Sequence, residues 1–188
     1  MPIIAYLGAN VNDYKEKATV LLSLMRIRCP EHPSKQMALH DKYPRTIKET
    51  GEKIVIHRLI CHKCRKTIAI LPDFLLPNKH YSADEIESVI MQREAGTCIY
   101  DIDTPAGVCT VRHWLAEIPK SIAGWVSKLK FLAMERYACP VSETVLCGLP
   151  LMEQVRHMSQ KLPRIRHSGN LLGYARIYVQ SHAAPNST

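Results

Sequence analysis

Cys29-Pro30-Glu31-His32 and, further along, Cys61-His62-Lys63-Cys64 place two pairs of metal-binding side chains at knuckle spacing. Two intervening residues in each pair let a tight turn aim both donors at one point. A tetrahedral Zn2+ ion takes Cys3His as an ordinary structural set. Pro30 suits the first turn because its ring fixes φ. The expected metal ligands are therefore Cys29, His32, Cys61 and Cys64, with Zn2+ as the cofactor. A ribbon more often carries a second Cys where His32 stands, so His40, His57 and His62 compete for the fourth position. Four protein ligands leave no open place on the metal, which argues for structure over catalysis.

Other chemistry is sparse. Cys98, Cys109, Cys139 and Cys147 contain no C-x2-C pair and read as buried free thiols. A nucleophilic Cys needs a partnering base, and no local motif singles out His113 or His157 for that task. There is no G-x-S-x-G, Walker loop, G-x-G-x-x-G or H-E-x-x-H. The His-x-Glu of zinc deaminases is missing too. Asp101 and Asp103 are a carboxylate pair, but a two-metal nuclease site needs further acidic groups placed by a sheet. The chain is expected not to be an enzyme.

The elements that must position the knuckles are legible in the pattern. Residues 37–48 and 53–60 read as two strands around the turn signal Lys48-Glu49-Thr50-Gly51, with Gly51 free to take positive φ. Knuckle, hairpin, knuckle is the order of a zinc ribbon. Before it, residues 2–7 read as a short strand. A helix capped by Asn12 would carry Tyr14, Ala18, Leu21, Leu22 and Met25 on one face. After the ribbon, Thr67 to Leu71 begins as a strand, and Pro72 and Pro77 force an extended linker. Its Phe74, Leu75 and Leu76 are expected to dock the ribbon on the C-terminal part of the chain.

The rest is helical. Ser82-Ala83-Asp84-Glu85 is a capping box ahead of Ile86, Val89 and Ile90. Thr104-Pro105 marks a second helix, through Val108, Val111, Trp114 and Leu115. That pair looks like the end of a helix-turn-helix, whose second helix enters the major groove. Ser121 is expected to cap a third helix, broken by Pro140. A fourth carries Leu151, Met152, Val155 and Met158 and ends at Pro163. The basic loop Arg164-Ile165-Arg166-His167 comes next. Asn170 caps a last helix, and residues 183–188 are expected to be disordered.

Net charge is +8 over 188 residues, which points to nucleic acid, an anionic membrane or an acidic partner. No apolar run reaches the roughly 18 residues that span a bilayer. The N-terminus lacks the basic lead of a secretory signal, and the seven Cys are not spaced as a disulfide framework. A reducing, cytoplasmic setting is expected. Candidate nucleic-acid contacts are Arg45, Lys48, Arg58, Arg65 and Lys66 on the ribbon, with Thr110, Arg112 and His113 on the second helix.

The run C-P-x-H, a basic hairpin, C-H-K-C-R-K-T, then Leu71 to Pro77 followed by Tyr81-Ser82 resembles uncharacterised bacterial zinc-ribbon proteins. These are similar to the N-terminal zinc-binding and helix-turn-helix parts of insertion-sequence transposases. The resemblance covers about residues 26–118. It implies Cys29, His32, Cys61 and Cys64 as ligands, with His32 where the family usually has Cys. It also implies DNA recognition without strand cleavage, since a transposase's catalytic domain does not fit in this length.

The expected fold class is α+β. Residues 1–25 form a strand and helix, 26–78 a small zinc ribbon, 79–118 a helix-turn-helix-like unit, 119–182 a helical extension, and 183–188 a tail. The expected function is a zinc-stabilised DNA-binding protein, transposon-related or a transcriptional regulator, with double-stranded DNA as partner. The alternative is a zinc-ribbon adaptor with a protein partner in a transposition or transcription complex. No membrane partner is expected, and the oligomeric state is left open.

Overall fold

The β-branched run Lys53-Ile54-Val55-Ile56-His57-Arg58-Leu59-Ile60 has the alternation of a half-buried strand, and the N-terminal half is built on it. In the computed structural model, which describes residues 2–163, 165, 167 and 169–181, it is the strand β5. It pairs antiparallel with β4 (Ala38–Thr46) and with β6 (Thr67–Pro72). Gly51, at φ +71, closes the β4–β5 turn. The short β1 (Ile3–Ala5) adds in parallel beside β6, with Ile3 opposite Ile70 and Ala5 opposite Pro72, giving the order β1-β6-β5-β4. A separate two-stranded ladder, β2 (Arg28–Cys29) with β3 (His32–Gln36), carries the first knuckle.

Helix α1 (Val11–Leu24) buries Tyr14, Ala18 and Leu22 against this sheet. Its cap is Asn10, not the expected Asn12. Asn10 Oδ1 accepts from the Asp13 N–H at 3.0 Å, and Asp13 Oδ2 accepts from the Ala9 N–H at 2.8 Å. That reciprocal pair satisfies two otherwise orphaned donors, which an Asn12 cap would not. Tyr14 packs edge-on to Phe74 at 5.8 Å and donates its hydroxyl hydrogen to Val55 O at 2.6 Å.

Two hydrophobic cores result, and the chain passes between them at Phe74-Leu75-Leu76. Phe74 and Leu75 belong to the sheet core, Leu76 to the helical one. The docking expected of these residues is present. The segment is a compact crossing, with Leu75 bridged to Ser82, in place of an extended linker.

The helical half packs around α3 (Val108–Tyr137), against α2 (Ala83–Glu94), α5 (Leu151–Lys161) and α6 (Leu171–Ser181), with the short α4 (Glu143–Cys147) between α3 and α5 in sequence. Ser82 caps α2, accepting from the Glu85 N–H at 3.2 Å. The other half of the capping box is not made. The Ser82 N–H donates to Glu49, and Glu85 accepts from the Thr104 hydroxyl instead. The Thr104 hydroxyl also accepts from the Ala106 N–H at 3.1 Å, closing a turn ahead of the helix, and α3 itself starts later than expected, after Gly107.

One helix replaces the two expected on either side of Ser121, so it crosses the anticipated 118/119 boundary. An interior proline costs a helix about 3 kcal/mol. Here the stripe Val111, Trp114, Ile118, Ile122, Val126 and Leu129 continues unbroken past Pro119, and its burial offsets that cost. Residues 95–107 join α2 to α3, a longer connection than the three- or four-residue turn of a compact helix-turn-helix.

Two carboxylates on α2 cap other helices. Glu94 accepts from the Leu151 N–H of α5 at 2.8 Å, and Glu87 from the Leu171 N–H of α6 at 2.8 Å. Burial raises the Glu87 pKa above its ordinary value of 4.5, only partly opposed by the Leu171 and Leu172 N–H groups. Its stabilising contribution is therefore complete below pH 4.5 and is lost as pH rises through the higher folded value. Relative to Glu87→Gln, the parent should lose stability over the pH range upward from 4.5. Urea midpoints across that range check this; a pH-independent difference would contradict it.

Helix α6 also returns to the sheet. Gln180 Oε1 accepts from the Ile4 N–H at 2.8 Å, and Ile177 packs on the sheet core. Asn170 caps α6 as expected, accepting from the Gly173 N–H at 2.5 Å. Arg164 and Arg166 of the anticipated basic loop, and the tail 183–188, lie outside the described residues. The architecture is mixed α+β. Among the described residues no helix is long and apolar enough to cross a membrane.

Candidate metal centre

Both knuckles are held by short ladders. On the first side, Cys29 pairs with His32 across the β2–β3 turn, and the Met37 N–H donates to Ile27 O at 2.8 Å. On the second, β5 ends at Ile60, the Arg65 N–H donates to Cys61 O at 2.7 Å, and the Cys61 N–H donates to Lys66 O at 3.0 Å. Arg65 takes φ +61 to close this turn, a conformation uncommon outside glycine. Glu31 and Lys66 form an ion pair from one knuckle to the other.

The four donor atoms of Cys29, His32, Cys61 and Cys64 all lie within 4.8 Å of one another. Cys29 Sγ is 3.7 Å from Cys64 Sγ and 3.8 Å from His32 Nδ1, and Cys61 Sγ is 3.9 Å from His32 Nδ1. A tetrahedron with Zn–S near 2.3 Å has S···S edges of about 3.8 Å, and its S···N edges are about 3.5 Å. The sulfur edge agrees, and the imidazole edges are a few tenths longer. The set therefore fits a tetrahedral ion, and these residues could hold one. His32 supplies the fourth donor through Nδ1. His40 and His57 instead line a shallow depression with Asp41 and Lys42, and His62 is exposed.

Cys29 and Cys61 are fully buried, while His32 and Cys64 are half-buried. Backbone N–H groups of Cys64 and then Lys63, aimed at Cys61, bring its thiol down to about 6. The Lys66 N–H also favours the Cys64 thiolate, but burial and the adjacent Cys61 and Cys29 sulfurs leave that thiol raised. Thiols stacked this closely cannot all ionise without a cation among them, and a bound ion would remove that conflict.

The remaining thiols differ from expectation. Cys98, Cys109 and Cys147 are exposed and Cys139 is half-buried; all four are free.

The candidate nucleic-acid contacts are dispersed over several elements, and most are engaged within the chain. Arg45 donates to the Leu76 and Lys79 carbonyls. Arg58 forms a two-pronged pair with Asp41 and lies over the Tyr43 ring at 5.5 Å. Lys48 is 6.0 Å from the Tyr81 ring centre, and Lys66 meets Glu31. Arg65 is exposed on the second knuckle. On α3, Thr110 is half-buried, Arg112 donates to the Tyr100 hydroxyl at 2.6 Å, and His113 pairs with Glu117 at 2.9 Å. Sequence reasoning misses Tyr43, Lys79 and His80, which border the sheet beside Arg45 and Arg58 and carry no local signal.

Residues 29–114 match a family described as a domain of unknown function, DUF6431. The chain is similar to that family from its first ligand to Trp114. The matched span holds both knuckles, the sheet strands β4 to β6, all of α2 and the start of α3. No curated protein and no solved structure matches the chain.

Proposed function

We propose that this chain is a zinc-stabilised DNA-binding protein, transposon-related or a transcriptional regulator, with no catalytic centre of its own. The closed Cys3His cluster carries the reading. It offers four donors at tetrahedral spacing, a full set with no open position for a water, which is the pattern of structural zinc. Knuckle, hairpin, knuckle in that order supports a zinc ribbon, to which β1 and β6 are added. The net charge of +8 supports an anionic partner.

In this reading α2 and α3 act as a helix pair, and the first turns of α3 present Thr110, Arg112 and His113 to duplex DNA. The ion pairs of Arg58, Lys66 and His113 are solvent-exposed and of low net strength, so phosphates can exchange for their carboxylate partners. Anisotropy of labelled duplex DNA with the zinc-loaded protein, across a salt series, tests this. A log–log slope equal to several released counterions is expected, with Arg112→Ala weakening the discrimination among sequences. Absence of binding at low salt, with zinc present, would overturn it.

The adaptor alternative draws on a different observation. Phe131 and Met134 on α3 are 62% and 63% exposed, as apolar contacts for a protein partner are before assembly.

A further inference from the structure

Between the sheet and residues 77–80 lies a groove of about 920 Å³, the volume of a well-sized ligand site. Tyr43, Arg45, Arg58, Lys79 and His80 line it together with Thr46, Thr67 and Asn78. No Asp or Glu is among the lining residues. Lys79 is paired with Glu117 and Arg45 donates to backbone carbonyls, so both are engaged within the chain. Arg58 is the reaching group. Asp41 takes its Nε and Nη2, its side chain is 40% exposed, and Nη1 remains for a ligand. Its guanidinium lies over Tyr43, forming a stack that a further planar ring can extend.

The Arg58 Nη1, left over by Asp41, faces a lining that holds no acidic residue, and this favours an anion. A flat aromatic floor with Ile68 and Ala69 beside it selects bases. Together these are the two features of single-strand sites, a cationic track and a stacking platform. We infer that this groove binds a single strand of nucleic acid, with a phosphate on Arg58 and a base extending the Arg58–Tyr43 stack. The inference rests on the nucleic-acid reading above and adds a second contact surface apart from α3.

Anisotropy of the zinc-loaded full chain with a labelled mixed-sequence strand of roughly 20 nucleotides, against its duplex, tests the inference. Thr46 and Thr67 are exposed strand residues, so Thr46→Glu with Thr67→Glu should fold normally, as an unchanged melt will show. The pair is expected to weaken strand binding about tenfold or more. Arg58→Gln should weaken it in the same direction, while Arg112→Ala leaves it at the parent value. A double variant that binds the strand as tightly as the parent would overturn the groove. So would a parent that binds duplex but not strand, although the DNA-binding reading would survive that result. A parent that binds neither would overturn both.

Discussion

Stripping the metal is expected to lower the melting temperature by about 10 °C or more and to release the 28–36 hairpin completely. The hairpin has almost no apolar support of its own. His32 is half-buried, and the rest of β3 is exposed. Of its residues, Cys29 is the one fully buried, and that burial is useful only if its thiolate has a cation. Structural zinc in small modules contributes roughly 10–16 kcal/mol to folding, as much as a whole domain's net stability of about 5–15 kcal/mol. The sheet core around Ile54, Ile56, Ile70 and Leu75 is larger than a zinc finger's, so it softens where a finger would unfold. Amide exchange should show residues 28–36 and 61–66 losing protection first, with the helices around α3 last. Cys61→Ser should reproduce the chelated state. An unchanged melt after the metal is shown to be gone would contradict this.

Gly173→Ala is expected to destabilise the protein by about 3 kcal/mol or more, with α6 lifting off the sheet. A Cβ at position 173 would lie 2.5 Å from Asp73 O, 2.6 Å from Asn170 Oδ1 and 3.0 Å from Asp73 Cβ. The first and last of these belong to a fully buried residue at the crossing between the two cores, so they cannot move aside cheaply. The clash would reach the Gln180 contacts with Pro2 and Ile4, because the same helix carries them. Gly124→Ala is the matched control. It is exposed inside α3, nothing stands within 4 Å of its added Cβ, and it should gain about 0.5–1 kcal/mol. Denaturant titrations of the two variants give the comparison. Equal midpoints for Gly173→Ala and the parent would mean that α6 does not dock as described.

What the sequence discloses here is what short-range chemistry determines. The knuckles are legible because two residues between ligands set their geometry alone. The β5 strand, the Gly51 turn and the Ser82 cap are legible for the same reason. Distant partners override the local signals elsewhere. Thr104 carries a good cap signal, yet its hydroxyl closes a turn onto the Ala106 N–H and donates to Glu85, and α3 begins only after Gly107. Pro119 and Ser121 signal a boundary, yet the apolar stripe of α3 runs through both. The parallel β1–β6 pair joins residues at opposite ends of the sheet half, which no window of sequence displays. The helix caps from Glu87 and Glu94 depend on helices far along the chain. The groove beside Tyr43 is likewise made of residues from the hairpin, β6 and the crossing, each unremarkable alone.

The most direct test of the metal centre is X-ray absorption at the zinc edge, on protein purified without added metal. One zinc per chain is predicted, with three sulfurs at about 2.3 Å and one nitrogen at about 2.0 Å, and this shell should be lost in Cys61→Ser. A shell dominated by oxygen, or one that survives Cys61→Ser unchanged, would show that Cys29, His32, Cys61 and Cys64 do not hold the metal.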